Sequence, residues 1–287
     1  MKLFVSTSAI GPAPTDVGAA LAALTDLPCD GIELGSTHAW RADFAGAVRA
    51  RWSGPTLVHN YCPPSAACDF VLNIASTNSA YRENSVFHAK QCLGFAHDIG
   101  ATLYTVHPGF LARAATPHAN RRNYDFAFSG AHGDRDLAFA AMLESLKALA
   151  DHAAKLGVQL AIETEGSATN PGILLMETPA EYERLFAAIP SGVALNFNLA
   201  HSRFAAKVHG FSLQAFVEQY RARFAAAELS HNDGQIDEHR PLSPDSWALD
   251  WIPRLGQMPL VLEFRDATHT DIERSLALAR AQVAAAA

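Results

Sequence analysis

The chain has 287 residues, 49% of them apolar and 18% charged, with a formal net charge of −7. That apolar share supports a sizeable core and, with 18 glycines, excludes a disordered or fibrous chain. The acidic balance weighs against a polybasic nucleic-acid surface, because affinity for DNA rests on Lys/Arg contacts to phosphate.

The four cysteines, Cys29, Cys62, Cys68 and Cys92, form no C-x-x-C pair and no disulfide framework. They read as small buried hydrophobes in a reducing compartment. The opening MKLFVSTSAI is too short and too polar for a signal peptide, and no apolar run reaches membrane-spanning length. The expectation is a soluble cytoplasmic protein with no membrane partner.

Eight short apolar or β-branched runs read as strands. In chain order they begin at Leu3, Gly31, Thr56, Thr102, Val158, Val193, Ala227 and Pro259. Near-continuous apolar runs suit parallel strands covered on both faces. Helical spacing fills the intervals: Val17, Leu21 and Leu24; Val86, Leu93 and Ala96; Leu143, Leu146, Ala150 and Ala153. Two of these helices end at DIGA and KLGV, where glycine is a sensible C-cap. Thr178-Pro179 before AEYERLFAAI reads as an N-cap with proline at the first helical position.

Eight strand–helix units of roughly 36 residues each predict an α/β fold, a (β/α)8 TIM barrel, as a single domain over 1–287. A doubly wound sheet is the competitor, but STSAIGPAPT after the first strand is not a G-x-G-x-x-G turn. Residues 109–135, after the fourth strand, form a long polar connection containing Arg113, His118, Arg121, Arg122, Tyr124, Phe126 and Phe128. Long loops in compact domains are functional or mobile. This one reads either as a lid, with Arg121 or Arg122 facing a phosphate or sugar hydroxyls, or as a solvated surface loop. A second insertion, Pro63 to Asp69, follows the third strand.

Metal-competent residues recur at the strand ends. They are Glu33, His59, His107, Glu163 (with Glu165 beyond it), Asn198 and His201, His231, and Glu263, with Asp237 and His239 in the loop after the seventh strand. A parallel barrel gathers these ends at one mouth. Glu163 and Glu263 lie in apolar strands, and an unpaired buried carboxylate is costly. Arg265 is the one obvious nearby cation, so a salt-bridge network leaves several acids unmatched. A divalent metal meets the requirement better, and mixed imidazole–carboxylate sets suit zinc, manganese or iron.

On the segments VHNY…FVLNIAS, TVHPG, AIE, NLAH, SHND…DEH and VLEF, the chain resembles the xylose isomerase-like TIM-barrel superfamily, which includes endonuclease IV. The endonuclease IV resemblance implies three metals. His59, His107 and Glu163 would hold the first; Glu163, Asn198, His231 and Glu263 the second; His201, Asp237 and His239 the third. Where that pattern has Asp-x-x-His this chain has NLAH, so Asn198 replaces an acid. An amide oxygen can ligate but carries no charge. With three anions (Glu163, Asp237, Glu263) the site suits fewer than three dications, so one to three zinc or manganese ions are expected. The insertion after His59 also departs from the pattern, leaving Phe70 as the aromatic nearest the position that endonuclease IV uses on DNA. RPLSPDS stands where a glycine-rich turn is usual.

Two chemistries follow. A sugar or sugar-phosphate isomerase or epimerase would use Glu163 and Glu263 to shuttle a proton beside a polarised carbonyl. Its substrate contacts would include Glu33, Arg121, Arg122 and Arg265. The alternative is a metal-dependent phosphodiesterase of the abasic-site endonuclease type, which makes better use of the additional histidines. A metal-stabilised barrel that only binds a ligand is the non-catalytic reading. The discriminating feature is a basic rim at the mouth for a duplex, or a closed pocket for a small sugar.

Overall fold

A computed structural model describes residues 1–66, 71–117, 126–189 and 191–285. Cys68, Phe70, His118, Arg121, Arg122 and Tyr124, all named from the sequence, lie outside the described residues.

In chain order the elements are β1 (Leu3–Ser6), α1 (Val17–Leu24), β2 (Gly31–Leu34), α2 (Phe44–Arg51), β3 (Thr56–His59), α3 (Ser79–Asp98) and β4 (Leu103–Val106). A hairpin of β5 (Ala114–Pro117) and β6 (Phe126–Ser129) follows. Then come α4 (Arg135–Leu156), β7 (Gln159–Glu163), α5 (Pro179–Ala188), β8 (Ala194–Asn198), α6 (Leu199–His209), α7 (Leu213–Tyr220), β9 (Phe224–Leu229), α8 (Ile252–Leu255), β10 (Leu260–Leu262) and α9 (His269–Ala285). Eight strands close a parallel barrel in the order β1-β10-β9-β8-β7-β4-β3-β2. The eight runs read from sequence all supply barrel strands. β9 begins three residues earlier than expected, because its Phe224 and alanines are too bland to register as a strand.

The helix signals act as the sequence suggests. Gly157 ends α4 in the left-handed conformation at φ 68°, and Gly100 follows α3 at φ 75°. Thr178 caps α5, where the Glu181 carboxylate accepts from the Thr178 N–H at 3.2 Å.

Alternation inside the barrel places the site. Phe4, Leu57, Leu103, Ala161, Ala226 and Val261 pack together as an inner layer. Two residues further along each strand, the period-2 rule brings Ser6, His59, Thr105, Glu163, Glu228 and Glu263 inward. Gly31 belongs to the lower layer: a Cβ there would meet the Phe4 ring at 2.2 Å. Glu33 therefore joins the upper layer. The main core lies outside the barrel, between strands and helices, around Leu21, Leu34, Val58, Tyr104, Leu146, Phe197 and Leu262.

The 109–135 connection is not a plain loop, because it contains the antiparallel β5–β6 pair. Phe110, Ala112, Ile173 and Leu174 form a separate small core with Val71, Ala115 and Phe128. Burying these apolar groups against the 166–178 segment gives the hairpin a seat over the barrel mouth. Asn170 Nδ2 donates to the Phe126 carbonyl at 2.9 Å, and Leu111 N–H donates to the Ile173 carbonyl at 2.9 Å. No helix among the described residues is long and apolar enough to cross a membrane.

Candidate metal centre

Two clusters of matching design form at the barrel mouth. His59, His107 and Glu163 make one group with metal-ligand spacing; His201, Asp237 and His239 make the other. In the first, the Nε2 atoms of His59 and His107 lie 2.7 and 3.1 Å from Glu163 Oε2. In the second, the Nε2 atoms of His239 and His201 lie 2.9 and 3.4 Å from Asp237 Oδ2. Each cluster thus aims two imidazole nitrogens at one carboxylate oxygen.

The other ring nitrogens are held from behind. His59 Nδ1 lies 3.4 Å from Ser36 Oγ, and His239 Nδ1 lies 3.2 Å from the Glu263 carbonyl. His107 Nδ1 is bonded to Glu165. His201 Nδ1 lies 3.1 Å from Glu163 Oε1 and 3.6 Å from Glu165 Oε2. An acceptor behind the imidazole, as at His59, His107 and His239, is the arrangement that orients a histidine for a metal, while His201 Nδ1 makes no hydrogen bond there. Glu163 and Glu165, two apart and so on the same face, join the clusters from one strand end. The donor set and its orientation therefore fit a divalent ion at each triad.

Backbone strain concentrates here. Among the described non-glycine residues, positive φ occurs at Asn60 (45°), Met176 (63°), His239 (45°) and Asp266 (49°). His239 is in the second triad, and Asn60 and Asp266 adjoin His59 and Arg265. Gly166 is required by close approach, since a Cβ there would meet the His201 carbonyl oxygen at 2.2 Å. That contact lets the chain after β7 pass beneath α6.

Electrostatics follow from burial and pairing. Glu33, Glu163, Glu165, Glu228, Asp237 and Glu263 are each no more than 7% exposed. Burial pushes the Glu163 carboxyl up, but the His107 charge and the His201 and His59 imidazoles outweigh it and hold it well below the usual range. Asp237 is likewise held far down against burial, by His239 and His201. Burial opposes charge on His107, yet Glu163 and Glu165 raise it to about 9. Burial, against the pull of His59 and with the push of Glu263, raises Glu33 to about 7. Glu228 stands well above the usual range through burial and its neighbours Glu163, Glu263 and Glu33. Glu263 is lowered: His239, Arg265 and His59 overcome its burial.

Three sequence assignments meet a different geometry. Asn198 does not offer its oxygen to the centre: Oδ1 accepts from the Ala200 and His201 N–H groups, both at 3.1 Å, as the N-cap of α6. His231, expected among the ligands, stands apart from both triads. Ala226 and Glu228 face inward, so the next inward position is Ser230 and His231 has the opposite parity. The His231 backbone instead pairs with Arg240, at 2.8 and 2.9 Å, closing the loop that turns Asp237 and His239 toward the mouth. The charged groups around its ring are Arg240, Asp245, Glu238 and Arg203. Glu33, expected as a substrate contact, lies in the barrel interior beside His59 with Oε1 unpartnered.

Sequence reasoning missed Glu228 and mentioned Glu165 only in passing. Glu228 precedes LSHND, and the strand-end histidine drew the assignment. Strand parity counted from Ala226 would have selected the acid. Its Oε1 accepts from Asn196 Nδ2 at 2.5 Å and its Oε2 from Asn198 Nδ2 at 2.9 Å. Arg265 lies 3.4 Å from Glu263.

The cleft above the triads has a volume of about 820 Å³, counting its opening to solvent. Tyr61, Val71, Leu72, Phe110, Phe126 and Leu174 wall it, with Glu163, Glu165, Asp237 and Glu263 on its polar side. Among the described residues, Arg265 is the one lysine or arginine that lines it.

Comparison with known folds agrees with this architecture. A D-tagatose 3-epimerase-like protein superposes with a TM-score of 0.75 at 16% identity, covering 100% of this chain and 98% of its own. The TTHB071 protein from Thermus thermophilus, soaked with ZnCl2, gives 0.65 at 19% identity, with 99% of each chain covered. D-psicose 3-epimerase from Clostridium cellulolyticum H10, with D-tagatose, gives 0.69 at 12% identity, again with 99% of each chain covered. No curated protein matches the sequence. The family model described as xylose isomerase-like TIM barrel matches residues 21–258, and with the closed barrel this places the chain in the xylose isomerase-like TIM-barrel family.

Proposed function

We propose that the protein is a divalent-metal-dependent isomerase or epimerase acting on a small sugar or sugar phosphate. The observation that carries this reading is the pair of buried carboxylates, Glu163 and Glu263, on the polar side of a cleft with apolar walls. The single lining arginine among the described residues supports a compact substrate over a nucleic-acid duplex, which needs a rim of cations. Structural neighbours named as a D-tagatose 3-epimerase-like protein and a D-psicose 3-epimerase support the sugar class.

The triads would hold zinc or manganese. A bound dication supplies Lewis acidity that polarises a substrate carbonyl. The chain's own residues do the rest. Glu263 is kept ionised by His239 and Arg265 and faces the cleft, so it can take a proton from the carbon beside the carbonyl. Glu263, now protonated, returns that proton to the neighbouring carbon or oxygen, while Glu163 stays a carboxylate, held by His59, His107 and Asn198. Arg265 steadies a hydroxyl or phosphate oxygen, and Phe110, Phe126 and Leu174 exclude water.

The test is incubation of metal-loaded protein with a panel of ketoses, aldoses and their phosphates in deuterated water, followed by NMR. Deuterium should enter the carbon next to the carbonyl, and Glu263→Gln should abolish the exchange. No exchange with any carbonyl sugar refutes the proposal. One observation favours a second reading: two histidine-carboxylate triads joined through Glu163 suit phosphoester hydrolysis by paired metals. Cleavage of a phosphodiester without deuterium uptake would select it.

A further inference from the structure

We infer that the centre takes two divalent ions, one per triad, and that the middle position between them is closed by the Asn198 side-chain amide. The inference rests on the reading of the triads as metal sites. The resemblance to endonuclease IV implies a third ion among Glu163, Asn198, His231 and Glu263. In this chain Asn198 Nδ2 lies between two buried carboxylates, 3.0 Å from Glu163 Oε1 and 2.9 Å from Glu228 Oε2. A positively polarised NH2 group between two acids occupies the place and does the electrostatic work of a cation.

The amide cannot turn over to offer its oxygen. Oδ1 accepts two backbone N–H groups at the start of α6. A flipped amide would set oxygen against both carboxylates and NH2 against both N–H donors, losing four hydrogen bonds. Asn196 completes the lock by donating to the other oxygen of Glu228 at 2.5 Å. In the barrel register Asn198 is directly opposite Glu228, so strand pairing fixes the couple. The imidazole that a middle ion would need is also missing, because Ser230 takes the inward position and His231 the other parity. A carboxylate that the resemblance puts at residue 198 has thus been exchanged for one at 228, with an amide between it and Glu163.

The experiment is equilibrium dialysis of the purified, chelator-stripped protein against zinc, with elemental analysis of ions per chain. Wild type should hold two. His59→Ala and His239→Ala should each hold one, and the double variant none. Asn198→Asp should take up a third ion, and its metal-free form should melt below wild type and recover with zinc, because the new carboxylate faces Glu163 and Glu228. Should that variant fail to fold, Asn198→Asp with Glu228→Gln restores an amide donor opposite the acid and should also bind a third ion. One or three ions on wild type would overturn the inference while leaving the metal reading intact. Retention of two ions by the folded Asn198 variants would overturn the lock. No zinc on wild type would overturn both.

Discussion

Glu165 offers the sharpest test of how the first triad is held. Its carboxylate is bonded to His107 Nδ1, on the side of the ring opposite the Nε2 that faces Glu163. Replacing it with glutamine keeps an acceptor of the same shape but removes the charge. A charge-assisted bond contributes about 1.5–3 kcal/mol and a neutral one about 0.5–1.5 kcal/mol. The loss is then about 1–1.5 kcal/mol, or roughly five- to twelvefold in metal affinity at the first triad. Glu165→Ala removes the acceptor outright, and loss of such a partner typically costs about ten- to hundredfold. The second triad should change less, since His201 Nδ1 is 3.6 Å from Glu165, beyond hydrogen-bond reach. Zinc titration against a chromogenic chelator, with His239→Ala or His59→Ala to isolate each site, measures both constants. Wild-type affinity at the first triad in Glu165→Ala, or a larger loss at the second, would refute the reasoning.

Three further outcomes follow from the same geometry. His231→Ala should leave metal content unchanged in elemental analysis, because it belongs to neither triad and the charges that act on its ring are Arg240, Asp245, Glu238 and Arg203. Zinc affinity should climb with pH up to about 9, because the ion must displace the proton that Glu163 and Glu165, against burial, hold on His107. Titrations from roughly pH 6, below the ordinary histidine value, to that raised value check it in buffers without zinc affinity, and a flat profile would contradict it. Glu177, away from the mouth, is raised to about 8 by burial against the pull of Arg135. An acid whose folded value is raised favours the fold below its unfolded value of about 4.3 and loses that contribution as pH rises through the folded value. Melting temperature should therefore decline between those limits, and Glu177→Gln should flatten the decline; identical wild-type and variant curves would rule the assignment out.

The barrel was legible because its strands are short apolar runs between helices with ordinary caps, a pattern that local physics sets. The triads were legible for a related reason. His59 and Glu163 end barrel strands, His107 follows β4, and Asp237 and His239 lie in the loop after β9; a parallel barrel gathers those ends. What failed was the assumption that a ligand-type residue at a strand end points inward. His231 and Glu228 lie three apart on the same stretch, and only the phase of the alternation decides which enters the barrel. Counting from the alanines of β9 resolves it, but those alanines carry no signal of their own. Asn198 shows a role that strand-end counting does not reveal: an asparagine opening a helix is a strong cap, and here the cap uses the oxygen that a metal would need. The hairpin escaped notice because its small core borrows Ile173 and Leu174 from a segment some fifty residues later in the chain, a pairing that no local window reveals.

The β5–β6 hairpin has a consequence for how this scaffold diversifies. Every group in the two triads belongs to the barrel strands, the loops that leave them or the first turn of α6, whereas Phe110, Phe126 and Leu174 roof the cleft from an appended ribbon and its seat. The triads and the roof of the cleft are therefore encoded on separate stretches of chain. Drift in the ribbon can change which molecules enter while the reacting groups stay in register.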